Sequence, residues 1–453
     1  MQKALSKRRN SYIIRVLLHG MESVGECMGK KRLWMHGIFL DTPEAGTVRV
    51  RRGWALAEQG VFRGIFDEPD DSGEMLDYGQ ALILPGMTDL HLHAPQHAYA
   101  GTAMDLTLMD WLEQYTFPEE SRYGDPEYAR RSYLRLADKL VRCPSTRFVM
   151  FGSIHTDATL MLMRILESTG LVCDVGKVGM DRLSPDNYWE DTESGIRETE
   201  RFLRSAQGMD GIRPVVTPRF TPTVSDAYMS ALGRLAEAWH TGVQSHLSET
   251  LEEIRLVSEL CPDTEFYAQS YDRAGLFGGT CPTVMAHCIY CGEAEMALLK
   301  KRGVVIAHCP TSNSNVVAGM APAARYLREG FRIGLGSDIA GGHTLDMFEV
   351  MTCAIQVSKL RWRCVDSSWK PLTAADVLYM ATRGGGYFEN AGLFAEGFEF
   401  DAVVLDDAAL DPDAAPEVRM EKYMYLGRGK LRAKFVRGKQ VLDGDRVIPD
   451  IHA

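Results

Sequence analysis

From Pro85 to Gly385 the chain alternates short β-type runs with helical segments, and this alternation is what most narrows its possible folds. The runs are ALILPGMTDLHLH, TRFVMFGSI, VCDVGKVGM, IRPVVTPRF, GVQSHLSE, TVMAHC, VVIAHCP and IGLGSD. Between them lie LEEIRLVSEL, EAEMALLKKRG and LDMFEVMTCAIQVSKL, whose apolar residues recur at helical spacing. A further helix opens at Asp125-Pro126, an N-cap followed by proline at the first helical position. Eight such units fit a parallel (β/α)₈ barrel, and periodicity alone also admits a doubly wound open sheet. The polar residues favour the barrel: His, Asp, Glu and Arg gather just past the C-terminal ends of the runs, where a barrel keeps its active site.

The two ends of the chain read differently. RLWMHGIFLDT and GTVRVRRGWALAEQG near the start, and FDAVVLDD, KYMYLG and LRAKFVRGKQVLDG near the finish, alternate apolar and polar residues between turn residues. Neither set is large enough to stand alone, so residues 31–84 and 386–453 are expected to combine into one small β-sandwich domain flanking a barrel over 85–385. Residues 1–30 are expected to form a disordered extension. Their run KRRNSYIIRVLLHGMESV resembles a targeting signal, but Arg15 and His19 interrupt it and no small-residue cleavage site follows. Met28 and Met35 are both candidate starts.

A net charge of −11 argues against an extended nucleic-acid surface. No run approaches the roughly 18 apolar residues of a membrane span. The ten cysteines are scattered, several in apolar runs (Cys143, Cys173, Cys353), which reads as reduced thiols in a cytoplasmic protein. Cys288 and Cys291 make a lone CxxC, read as structural because no second pair answers it.

The chemistry begins at His91-Leu92-His93. In a strand, residues i and i+2 share a side, so both imidazoles can face one metal ion. His246, His287 and Asp338 each follow a separate β-type run, and imidazole with carboxylate suits zinc or another divalent first-row metal. Glu249, three residues after His246, is a candidate general acid/base, or alternatively a carboxylate favouring the following helix N-terminus.

These segments, PGMTDLHLHAPQ, HLSE, AHC, AHCPTSNSN and LGSDIAGG, resemble the amidohydrolase superfamily. HLHAPQHAYAGTAMDLTLMDWLEQYTFPEE, VTPRF, YMYLGRGK and VRGKQVL are similar to its guanine deaminase branch, over nearly the whole chain from Lys31 onward. The resemblance implies one Zn²⁺ per chain (Fe²⁺ being possible), held by His91, His93, His246 and Asp338. It implies that Glu249 shuttles protons, that Asp338 takes the proton of the attacking water and that His287 supports the oxygen being added. It places Gln96, Arg219 and Phe220 on the purine, together with His93, His246, Glu249 and Asp338. No lysine stands at the end of the fourth barrel strand, where binuclear relatives carry one, so a single metal is expected. Ser337 and Ile339 flank Asp338 where Thr and Val are usual.

The implied reaction is zinc-dependent hydrolysis of guanine to xanthine and ammonia by a homodimer, with no nucleic-acid or membrane partner. Guanine offers O6 and N7 as neighbouring acceptors, which suit the fork of Arg219, while Gln96 carries both donor and acceptor. Phe220 is placed to stack. Residues 101–122, with Trp111, Tyr115 and Phe117, are expected to cover the base. His97, His155, His240, His308 and His343 read as structural. Two other readings stay open: deamination or dechlorination of another N-heterocycle such as 8-oxoguanine or an aminotriazine, and a metal-free scaffold, which would require missing ligands.

Overall fold

The computed structural model describes residues 32–451. The expected extension over 1–30 lies outside them. Four strands open the chain: β1 (Arg32–Asp41), β2 (Arg49–Glu58), β3 (Val61–Phe66) and β4 (Glu74–Pro85). Met35 sits inside β1 with its side chain fully buried, so a chain started there would lose the buried Leu33 and Trp34.

The run ALILPGMTDLHLH is split by Gly86. ALILP ends β4, and β5 (Met87–His93) begins the central unit. A side chain at Gly86 would drive its Cβ into the Thr146 hydroxyl, so the turn from one sheet into the other needs glycine for close approach. After β5 come β6 (Ser145–Phe151), β7 (Val172–Gly176), the short β8 (Val178–Gly179), β9 (Ile212–Pro214) and β10 (Thr217–Pro218). Then follow β11 (Val243–Leu247), β12 (Thr283–His287), β13 (Val305–His308) and β14 (Arg332–Leu335). β5, β6, β7 and β9 pair in parallel, as do β11 to β14.

Backbone hydrogen bonds join these two sheets into a ring. Val215, between β9 and β10, donates to Val175 O at 3.0 Å, and Gln244 N donates to Val216 O at 3.1 Å. On the other side His93 N donates to Ile339 O at 2.9 Å and Asp338 N to His91 O at 2.7 Å. Counting β9 and β10 as one broken passage, eight parallel segments close on themselves. Their near-continuous burial is that of strands covered on both faces.

The outer helices follow their sequence signals. Asp125 accepts from Glu127 N and caps the helix Pro126–Arg142. Thr250 and Glu253 form a reciprocal capping box on Leu251–Leu260.

The chain ends do pair, through one eight-stranded sheet. After the barrel come β15 (Ala402–Leu405), β16 (Leu431–Val436), β17 (Lys439–Asp443) and β18 (Arg446–Val447). The sheet order is β18-β17-β16-β15-β4-β1-β2-β3, with β15 antiparallel to the end of β4 and β1 parallel to it. The sheet curls over on itself, because Phe62 N in β3 donates to Phe398 O at 2.8 Å and Phe400 N to Gly60 O at 2.7 Å. Phe39, Phe62, Phe394, Phe400 and Phe435 fill the space it encloses. KYMYLG is no strand: it ends the helix Pro416–Leu426, with proline at the first position and Met420, Tyr423 and Met424 buried at helical spacing. Asp401 ties the sheet to the barrel by accepting from Thr146 Oγ1 (2.9 Å), Arg147 Nε (2.8 Å) and Arg437 N (2.8 Å). Among the described residues no helix is long and apolar enough to cross a membrane.

Candidate active site

His91 and His93 end β5, His246 lies in β11, His287 ends β12 and Asp338 follows β14. The closed ring brings all five to one rim. His93 Nε2 lies 3.2 Å from His246 Nε2, and Asp338 Oδ1 lies 3.2 Å from His91 Nε2 and 3.4 Å from His93 Nε2. Ligands held about 2.0 Å from a tetrahedral ion stand about 3.3 Å apart, so these spacings are those of a metal cradle.

The protonation pattern agrees. His246 Nδ1 donates to Arg219 O at 2.6 Å, which leaves Nε2 with its lone pair facing the cradle. Burial, reinforced by the neighbouring imidazoles, pushes both His93 and His246 well below the usual histidine range and keeps them neutral. His91 Nε2 is buried and makes no hydrogen bond. Asp338 is held far below the usual carboxylate range: burial alone would raise it, but the surrounding histidines outweigh that. Neutral imidazoles, an ionised carboxylate and an orphaned ring nitrogen form a donor set that fits a divalent cation.

His287 stands beside this cradle. Its Nδ1 donates to Asn313 Oδ1 at 2.8 Å, and its Nε2 lies 3.6 Å from Glu249 Oε2 and 3.8 Å from Asp338 Oδ2. Glu249 is raised well above the usual carboxyl range by burial, with Glu253 and Asp338 adding to the effect. The backbone is strained here: Ser248, His287, Cys288 and Asp338 have φ of 49°, 71°, 48° and 47°, a region costly for residues other than glycine.

A small, narrow cavity opens over the rim. Its lining includes His93, Gln96, Arg219, Phe220, His246, Glu249, His287 and Asp338, so every residue assigned to the purine from the sequence faces this one space. Arg219 is not a free fork. Its Nη1 and Nη2 donate to Glu120 Oε2 and Oε1 at 2.7 and 3.1 Å, and Gln96 Nε2 donates to Glu120 Oε1 at 2.6 Å. Burial alone would lower the Arg219 guanidinium, and Glu120 more than reverses it. Sequence reasoning missed Glu120, although FPEE lies inside a segment it had singled out.

The cover also differs in detail. Residues 108–121 form short helical turns, and Leu108, Trp111 and Leu112 line the cavity. Tyr115 is exposed, and Phe117 packs its ring 5.1 Å from the Arg219 guanidinium, outside the cavity lining. Lys177, the buried lysine after β7, is paired with Glu190 at 2.7 Å. Of the histidines read as structural, His97 Nδ1 donates to Ala94 O at 3.0 Å, and His308, pushed down to about 3 by burial and by His287, is fully buried behind the rim. Cys288 is buried in the wall that carries His287, and the nine described cysteines are all free thiols.

The ring of parallel strands and the His–Asp cradle at its rim define a class, and the chain belongs to the amidohydrolase family, whose model matches residues 82–441. Among curated relatives, guanine deaminase of Dictyostelium discoideum is 34% identical over 386 residues, covering 82% of this chain and 85% of its own length. Guanine deaminase of Mus musculus is 37% identical over 379 residues, covering 80% and 83%. A crystal structure of guanine deaminase from C. acetobutylicum, with guanine bound in its active site, matches with a TM-score of 0.88 and 36% identity over 91% of this chain and all of the other.

Proposed function

We propose that the chain is a guanine deaminase, converting guanine and water to xanthine and ammonia. The observation that carries this is a single cavity in which a metal cradle, a buried acid/base carboxyl and a set of purine-edge donors meet. Relatives named guanine deaminase, aligned over most of both chains, support the same reading.

On this reading His91, His93, His246 and Asp338 hold one zinc ion, with Fe²⁺ the alternative, and the ion supplies Lewis-acid activation of the attacking water. Asp338, ionised in the native state, receives a proton from that water. Glu249, which burial favours in its protonated form, donates to N3 of the purine and makes C2 electrophilic. As a carboxylate it then collects the remaining proton of the oxygen added at C2 and passes it to the departing amine, and the proton held by Asp338 restores the Glu249 acid. His287, oriented by Asn313, faces the oxygen added at C2. The C2–O bond forms, the C2–N bond breaks, and ammonia leaves. Gln96 and Arg219 hold the edges of the base, Phe220 stacks on it, and Trp111 with Leu112 excludes water.

Residues 85–385 form the catalytic unit, and we place the enzyme in the cytoplasm as a homodimer. Thr217-Pro218-Arg219 ends the fourth passage of the ring without a lysine, so elemental analysis should find about one metal per chain, and two in active protein would contradict the mononuclear reading. The decisive test is ammonia release by metal-replete protein from guanine, adenine, cytosine and 8-oxoguanine. Guanine should be used best. No turnover of guanine with rapid turnover of another heterocycle would reject the substrate. Arg219→Ala should weaken guanine use by about 2–4 kcal/mol, on the scale of lost charge-assisted hydrogen bonds, while leaving metal content intact.

A further inference from the structure

We infer that Glu120 is a positioning residue that sets substrate specificity, by deciding which faces of Gln96 and Arg219 are presented to the base; the inference rests on the reading of the site as a purine site. Gln96, Glu120 and Arg219 are 2%, 1% and 2% exposed and share one carboxylate. Gln96 and Arg219 line the cavity, while Glu120 stands behind them and does not.

The hydrogen bonds fix the chemistry of both donors. Gln96 Nε2 is committed to Glu120 at 2.6 Å, and its Oε1 accepts from Ala340 N at 3.3 Å. Turning this amide over would set an oxygen against a carboxylate and an NH₂ against an N–H, so only one orientation is stable. Arg219 has five N–H groups, and its bidentate pairing with Glu120 occupies two on the inner side. The second N–H of Nη1 points at Met180 Sδ, 3.8 Å away, so two remain for a ligand. Phe117, 5.1 Å behind the guanidinium, further limits its swing. The carboxylate also cancels the arginine charge, so the cavity offers a neutral base fixed donors in place of a bare buried cation.

The test separates positioning from support of the fold. 2-Aminopurine carries the same amine at C2 as guanine but lacks O6, one of the acceptors that Arg219 reads. The measurements are kcat and KM for guanine and the inhibition constant of 2-aminopurine, with metal content and melting temperature, for wild type, Glu120→Gln and Glu120→Asp. Glu120→Gln removes the charge and lets the Gln96 amide turn. It should raise KM for guanine by at least about 30-fold and weaken 2-aminopurine at least about tenfold less, so that discrimination between the two collapses. Glu120→Asp keeps the charge and should retain part of the discrimination; it carries the test if Glu120→Gln does not accumulate folded. Equal losses for the two ligands, or no change for either, would overturn the inference. Wild-type protein inactive on guanine would instead overturn the proposed function, so the two failures are distinguishable.

Discussion

The barrel rim and the core of the curled sheet are equally buried and chemically opposite. Inside the sheet, phenylalanines pack on one another: Phe62 and Phe400 stack at 6.2 Å, and Phe39 meets Phe394 edge-on at 5.2 Å. Its buried charge, Asp41, is satisfied by Arg49 at 2.6 Å and Arg51 at 3.2 Å and by the backbone of Phe394. At the rim, four imidazoles and two carboxyls are crowded together on strained backbone, with a buried ring nitrogen that no protein group satisfies. The first arrangement is what a chain does to be stable. The second is tolerated because the surrounding barrel holds it, and such crowding is what singles out the candidate site.

The comparison breaks most cleanly by mutation. Phe400→Ala should cost about 3–5 kcal/mol of stability, the usual penalty for deleting a buried ring, and leave kcat of the folded fraction unchanged. Denaturant unfolding beside steady-state kinetics would reveal it, and a large fall in kcat would mean that the sheet shapes the site. Acid should act from the rim side. His97, next to Gln96, is pushed down to about 4 by burial, with Lys139 and Arg135 adding and the bond to Ala94 O opposing. A histidine lowered by folding leaves stability intact above about 6.5, its unfolded value, and removes it as pH falls from there to about 4. The linked loss is about 3 kcal/mol. His97→Asn, which retains a donor for Ala94 O, should flatten this part of the profile; an unchanged pH dependence of unfolding would assign acid sensitivity elsewhere.

Glu249→Gln inverts the Phe400 result. It should slow turnover by about 10²-fold or more, near 2.7 kcal/mol in the barrier, with metal content and melting temperature kept. Near-normal turnover would remove Glu249 from the proton route. The smallest effect belongs to the helix Pro126–Arg142, which packs against both the Ala94–Tyr99 turn and β17. Asp125→Ala removes its N-cap and should cost about 1 kcal/mol, seen in unfolding alone.

Legibility in the sequence follows the same divide. His91, His93, His246, His287 and Asp338 could be picked out because each stands just past an apolar run, and strand ends in a parallel ring must converge. Glu120 could not. It meets partners 24 and 99 residues away from a five-residue helix, Phe117–Ser121, too short to carry a periodic signal. Thus Arg219 read as an unpaired fork until its partner was located. KYMYLG misled for another reason: Tyr423 and Met424 belong to a helical stripe that begins at Pro416, outside the hexapeptide. ALILPGMTDLHLH read as one strand because apolar residues continue through Gly86, and only the proximity of Thr146 reveals the joint.

That joint has a consequence for how the protein is made. β4 passes into the first barrel strand through one residue, yet β15, its neighbour in the curled sheet, begins only at Ala402. At ribosomal speeds of about 5–20 residues per second, the edge of β4 waits on the order of half a minute for its partner. During synthesis the barrel can gather its strands while an apolar edge, Ala81 to Leu84, stays uncovered beside it. Residues 402–447 therefore act as a closing clasp, and the nascent protein is most exposed to aggregation just before they emerge.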